Sequence, residues 1–262
     1  MIRAMRTAAT GMLTQQLNVD AIANNIANVN TTGFKKDRMN IRALFYSTLK
    51  EPGAPSAGNQ MIPTGLQVGS GSEVSSSVKL FAQGDLEPTG GPLDIAISGE
   101  GFFKINMGTG EFRYTRDGSF RQDGNGDLVT VDGYKLEPAI NVPPDATEVI
   151  VGQDGKVLVT KPGNSTPQQV GQIRISRFAN SSGLKAQGDN LFSPTASSGA
   201  PTDLTPTQSG AGLLKQKFRE RSNVLVVDEL IELIQAQRNY EVNSRTIRVA
   251  DEMLQQISNL VR

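Results

Sequence analysis

From Ile2 to about Asn30 the apolar positions repeat every seven residues, with Met5, Met12, Val19 and Ile26 in one column. Ala8, Gln15, Ile22 and Val29 stand three residues further on and complete an a/d seam. The C-terminal end repeats the behaviour more strictly. Val226, Leu233, Tyr240, Ile247, Leu254 and Val261 recur at the same interval, with Ala236, Ala250 and Ile257 in the companion column. Asp228 and Glu229 fall in the first turn of that helix, where the helix dipole favours acid, and Ser222 or Asn223 offers an N-cap. At about 1.5 Å per residue the two helices would be roughly 40 and 55 Å long. The pattern predicts an antiparallel pair. Apolar residues outside the seam (Met1, Leu13 and Leu17 near the start; Leu230, Ile231 and Ile234 near the end) make the stripes wider than one neighbour can cover. Packing against further copies of the chain is therefore expected, with the helices only marginally ordered in an isolated monomer.

Between the ends the period shortens to that of strands. "VPPDATEVIVGQDGKVLVTKPG" alternates on both sides of a Gln153-Asp154-Gly155 turn and predicts a β-hairpin. "GSFRQDGNGDLVTVDGYKLEP" does the same around residues 123–126, as does "GFFKINMGTGEFRYTRDG" around residues 108–110, and "QIRISRF" predicts a further strand. The flanks, residues 51–71 and 193–212, are rich in Pro, Gly, Ser and Thr and read as extended connectors. The expected class is α+β: long terminal helices packed as a coiled-coil-like layer, extended connectors, and a central all-β domain.

One stretch conflicts with its own helix. "AIANNIANVNTTGFKK" threads Asn24, Asn25, Asn28 and Asn30 through an apolar rhythm, although asparagine competes for the backbone's hydrogen bonds. Gly33 suits a left-handed position after the helix. A cap explains one asparagine; four fit a helix whose carboxamides bond to neighbouring backbones and fix register. Lys35-Lys36-Asp37-Arg38 reads as a solvated face or a local patch against an acidic neighbour.

Composition then removes most chemistry. Lys plus Arg equals Asp plus Glu, which leaves no electrostatic footprint for nucleic acid or an anionic membrane. With no cysteine and no histidine, thiol nucleophiles, disulfides, thiolate zinc sites and the commonest general base are all missing. No apolar run reaches the roughly 20 residues that span a bilayer, so membrane insertion is not expected. "MIRAMRTAATGMLTQQ" lacks the apolar core of a cleaved signal, so export by that route is not expected. Asp123-Gly-Asn125-Gly-Asp127 begins like a calcium loop, but Leu128 stands where glycine is needed and Tyr134 where glutamate is needed. Asp117 and Asp123 are imaginable as a hydrolase pair acting on cell wall, yet they sit among turn glycines where aspartate serves the turn. No catalytic residue, metal or cofactor is expected. A coiled-coil surface adhesin is a further alternative for helical ends around a β middle.

"ANNIANVNTTGFKK" resembles the N-terminal signature of the flagellar axial proteins, the rod and hook subunits. "SNVLVVDELIELIQAQRNYEVNSRTIRVADEMLQQISNL" resembles their C-terminal signature, notably Gln237, Arg238, Tyr240, Glu241 and Asn243. "FAQGDLEPTGGPLDIAISGEGFF" and "YTRDGSFRQDGNGDLVTVDGYKL" look like their β-domain core, and "GAGLLKQKFRERSN" fits the return to the helices. Three motifs in this order cover nearly the whole chain. Hook-type subunits are longer and some proximal-rod subunits lack the β domain, so the length and single β domain resemble a rod subunit.

The resemblance implies a structural role in a helically assembled hollow rod in the bacterial flagellar basal body, spanning the periplasm. The rod would carry torque from motor to hook and pass unfolded subunits through its channel. It implies as partners copies of the chain, proximal rod subunits, hook subunits, the P- and L-ring bushing and the flagellar type III export apparatus. It also implies a terminal helical domain (1–33 and 222–262), an extended connector and β-hairpin domain with a rod-stiffening insert (34–71 and 199–221) and an outer β domain (72–198). The working residues would be interface positions: Met5, Met12, Val19, Ile22, Ile26, Phe34, Val226, Leu233, Gln237, Arg238, Tyr240, Ile247 and Leu254 in the helical layer, with Asn24, Asn25, Asn28 and Asn243 fixing register. Gly33 would turn the chain out to an insert, Tyr46 to about Gly65 with Pro52, Pro55 and Pro63, that stiffens a rod relative to the flexible hook.

Overall fold

A computed structural model describes residues 1–52, 64–108, 110–162, 164–208 and 210–260. Pro55 and Pro63 of the insert and Val261 of the heptad column lie outside the described residues. The class is α+β, with a helix at each end and a β-rich centre. α1 spans Ile2–Ala27 and α2 spans Val226–Leu260. The chain folds as two compact units: residues 1–27, 37–78 and 225–262 form a helical unit, and residues 28–36 and 79–224 form a β unit. Residues 37–71 group with the helices and residues 199–221 with the β strands.

In the helical unit, α1 and α2 pack against each other. Asp37–Ala43 pairs with Ser72–Lys79, and Tyr46–Lys50 pairs antiparallel with Leu66–Gly69. Within the stretch 51–71, Leu66–Gly69 is strand, the second arm of the hairpin whose first arm is Tyr46–Lys50. α1 stops at Ala27, short of the predicted end. Asn28 closes a turn instead, its carbonyl accepting the Thr31 N–H at 3.1 Å and its Oδ1 accepting the Thr31 hydroxyl at 3.1 Å. This is the local competition that makes asparagine a poor helix interior.

The β unit contains the three predicted hairpins. Phe103–Asn106 pairs with Phe112–Thr115, Arg121–Gln122 with Leu128–Val129, and Glu148–Val151 with Lys156–Lys161, all antiparallel. A seven-stranded sheet runs in the spatial order Lys185–Gly188, Leu191–Ser193, Phe112–Thr115, Phe103–Asn106, Lys135–Glu137, Leu128–Val129, Arg121–Gln122. Ile175–Arg177, in the predicted "QIRISRF" strand, pairs with Thr202–Leu204.

The sheet is covered on both faces, and the period of two sorts its residues. Phe103 and Ile105 join Ile95, Ile97, Leu128, Leu136, Val157 and Ile173 in the main core. Phe102 points the other way and meets Tyr114, Phe178, Leu184 and Phe192 in a second, aromatic core. Its rings meet edge to face, with Tyr114 and Phe178 centroids 4.8 Å apart at 90°, the geometry that ring quadrupoles favour. Burial and the nearby Asp203 carboxylate push the Tyr114 phenol up to about 12.

Candidate assembly interface

The helical unit keeps its small side chains inside and its large ones outside. Its fully buried apolar residues are Ala8, Ala21, Ala236 and Ala250, with Ile22 the single large one among the described residues. Of the predicted seam, Met5, Met12, Val19, Ile26, Leu233, Ile247, Leu254 and Asn243 are only half-buried. Val226, Gln237, Arg238 and Tyr240 are exposed, and so is Asn24. The alanines allow the helices to approach closely, because small contact residues shorten the interaxial distance. At Gly11 the approach is tight: a Cβ there would stand 2.9 Å from the Asn243 amide nitrogen. Further along, Asn25 lies opposite Glu229, so the pairing is antiparallel.

Asn25 is spent inside the chain, which corrects its expected role towards neighbouring subunits. At 1% exposure it accepts the Asp37 N–H at Oδ1 (2.9 Å), while Nδ2 donates to the Asp37 carbonyl (2.9 Å) and to Glu229 Oε2 (3.1 Å). One carboxamide thereby ties α1, α2 and the first strand together. Asn28 serves its own turn, as described above. Ile22, 2% exposed, is likewise closed to a neighbour.

Large exposed apolar side chains are concentrated in this unit. All of them among the described residues belong to it except Val131 and Ile150. They line α1 (Ile2, Leu13, Leu17), α2 and the residue before it (Leu225, Val227, Leu230, Ile231, Ile234, Val242, Val249), and the strands beside the insert with the link between them (Ile41, Phe45, Tyr46, Leu49, Leu66). Phe45 is 89% exposed. A patch of this extent marks a surface that meets another molecule. At the insert, Pro52 is exposed and Gly65 closes the hairpin, since a Cβ there would lie 2.6 Å from the Lys50 carbonyl oxygen.

Gly33 and Phe34 belong to the β unit and are buried in it. Gly33 takes the left-handed conformation expected of it (φ +69°), but for a different reason. Its N–H donates to the Glu220 carbonyl at 2.8 Å, and a Cβ would stand 2.8 Å from the Asp117 nitrogen. Neither predicted cap serves α2. Asn223 accepts the Lys36 N–H and donates to the Leu80 and Ala82 carbonyls, while Ser222 accepts the Val224 N–H.

Next to Gly33 stands a charge cluster that composition did not reveal. Lys35 is buried rather than on a solvated face: Nζ donates to Glu220 Oε1 at 2.5 Å and to the Ala82 carbonyl at 2.8 Å. Arg116 donates to Glu220 Oε2 at 3.3 Å and to the Gly99 carbonyl at 2.8 Å, with its guanidinium over the Phe102 ring. The Gly84 N–H donates to Glu220 Oε1 at 3.0 Å. Glu220 and Lys35 are each 1% exposed and Arg116 3%. Burial holds the Lys35 and Arg116 pKa values below their usual ranges, opposed by Glu220. Two buried cations thus share one carboxylate.

The imagined hydrolase pair is occupied with turns. Asp123 accepts the Gly124 N–H, and Asp117 accepts the Ser119 N–H at 3.0 Å. Asp127, in the calcium-like string, pairs with Lys135 at 2.7 Å. Burial raises the Asp117 carboxyl above its ordinary 3.8. The folded protein therefore holds that proton more tightly, a stabilisation fully present below pH 3.8 and lost as pH rises through the raised value. Asp117→Asn is expected to raise the urea midpoint at pH 7 and to leave it unchanged at pH 3, measured by circular dichroism. A lower midpoint at pH 7 contradicts this.

Three domain families match the chain. The flagella basal body rod protein family matches residues 5–35, the flagellar hook protein FlgE/F/G D1 domain residues 96–159, and the flagellar basal body rod FlgEFG protein C-terminal family residues 215–260. The chain is 46% identical to the flagellar basal-body rod protein FlgG of Caulobacter vibrioides, over 99% of both chains. It is 45% identical to FlgG of Borreliella burgdorferi over the full length of both. The FlgF rod protein of Caulobacter vibrioides is 35% identical over 92% of this chain and 90% of that protein.

Proposed function

Because the chain belongs to the FlgG family of flagellar basal-body rod proteins, we propose that it is a structural subunit of the distal rod. It assembles helically into a hollow, rigid shaft that carries torque from motor to hook. The terminal helices form the inner, channel-lining layer, packed as a coiled-coil-like wall, and the β domain faces outward. The assembly follows the three-part division into helical core, connector and outer β domain. The shaft spans the periplasm, turns within the P- and L-rings, and joins proximal rod to hook. Subunits reach it through the type III apparatus without a cleaved signal. The role is mechanical and not enzymatic.

The observation that carries this reading is the partition of apolar surface. The β unit closes its own cores, while the helical unit buries alanines and turns Leu230, Ile231, Ile234 and Phe45 to solvent. Burial of such surface contributes about 25 cal/mol per Å². A subunit gains it only from neighbours. The higher identity to FlgG than to FlgF of the same bacterium favours the distal over the proximal position. Deletion of this chain is expected to leave cells non-motile, with basal bodies that end at the proximal rod when imaged by electron microscopy. Normal hooks in the deletion strain would refute the assignment.

A further inference from the structure

The first turns of α1 carry a charge pattern that α1 itself disfavours. Arg3 and Arg6 stand three residues apart on one helical face, where like charges repel, at the helix end whose dipole already favours anions. Both are exposed, and among the described residues neither guanidinium has an ion-pair partner. With Thr7, Ser47 and Ser70 they line a cleft of about 230 Å³ between α1 and the strands beside the insert. The Thr7 hydroxyl donates to the Arg3 carbonyl at 3.0 Å, which leaves two guanidiniums and the Ser47 and Ser70 hydroxyls as a donor set suited to carboxylates.

The complementary group lies at the opposite end of the same helix pair. Asp228 is exposed in the first turn of α2, among the exposed Val227 and Ile231. The pairing is antiparallel, since Gly11 meets Asn243 and Asn25 meets Glu229. Arg6 and the Asp228 region are thus separated by most of α1, about 30 Å at 1.5 Å per residue. One chain cannot place its own Asp228 in its own cleft.

We infer that the Arg3–Arg6 cleft of one copy receives the Asp228 end of α2 from the next copy. This rests on the rod reading and names the surfaces that meet. The two surfaces differ, so the contact is heterologous and repeats without closing, which generates an open filament rather than a dimer. The apolar Ile2 at one end and Val227 at the other flank the ionic contact and exclude water from it.

The test uses the full chain in cells that lack it. Charge reversal by Arg3→Asp with Arg6→Asp, or by Asp228→Arg alone, is expected to cut rods per cell by about tenfold or more, because like charges then face each other. Combining all three changes in one chain is expected to restore rods. Wild-type rod numbers with either reversal alone would overturn the contact and leave the rod reading intact. Loss of the effect of deleting the whole chain would instead remove the rod reading. Since reversal at the N-terminus can also block export, a second variant keeps native charges. The chain has no cysteine, so Ser47→Cys with Val227→Cys introduces the only two thiols. A short bismaleimide should convert rods of this variant into a ladder of multimers, and each single variant should give none. Monomers or dimers alone from the double variant would overturn the proposal.

Discussion

Glu220→Ala is expected to lower the stability of the β unit by about 3–5 kcal/mol, the scale for breaking a buried ion pair by removing one partner. Its carboxylate pairs with both Lys35 and Arg116, and its loss leaves two cations buried side by side. The Gly84 N–H loses its acceptor as well. Lys35→Met should cost much less, because the Arg116–Glu220 pair survives and the methionine fills the same buried volume. Urea unfolding of the full chain, followed by circular dichroism and by amide exchange in the β strands, reads both effects. Equal midpoints for the two variants would refute this ordering.

The second large effect concerns assembly alone. Replacing Leu230, Ile231 and Ile234 by serine is expected to abolish rod formation while leaving β-unit stability within about 0.5 kcal/mol. These side chains are 44%, 49% and 51% exposed, so the folded monomer gains little from them. Full burial of such a side chain stabilises by about 1.5–3 kcal/mol, and every subunit in a filament would lose that at each contact. Complementation of the deletion strain, with motility and rod counts as readouts, measures the loss. A motile strain carrying the triple variant would show that this face touches nothing.

The two effects also separate what the sequence made legible from what it concealed. The terminal helices and the three hairpins follow from local period and turn chemistry, and both are visible in one chain. Which column of a heptad faces the partner helix is less visible. Val226 and Tyr240 fit the periodic pattern as well as Ala236 and Ala250, yet the alanines are buried and the larger residues are not. Close antiparallel approach selects for size, and a seven-residue count does not register size. Asn25 was readable as an anomaly but not as an intrachain tie, because its partners Asp37 and Glu229 lie 12 and 204 positions away.

The Lys35–Glu220–Arg116 cluster was concealed for the same reason. Its members sit in "TTGFKK", "YTRDG" and "KFRERSN", three stretches far apart in the chain. A lysine in a run of charges is usually solvated, and its burial follows only once Gly33 brings the chain against Arg116 and Asp117. A charged residue directly after a glycine and an aromatic, as Lys35 follows Gly33 and Phe34, was the one available hint.

If this chain is a shaft subunit, copies of itself complete its apolar helical surface. Electron cryo-microscopy of isolated rods at side-chain resolution tests it most directly. The expected result is α1 and α2 lining the channel, with Leu13, Leu230, Ile231, Ile234 and Phe45 covered by neighbouring subunits. Rods in which those side chains remain open to solvent, or in which the β unit lines the channel, would contradict it.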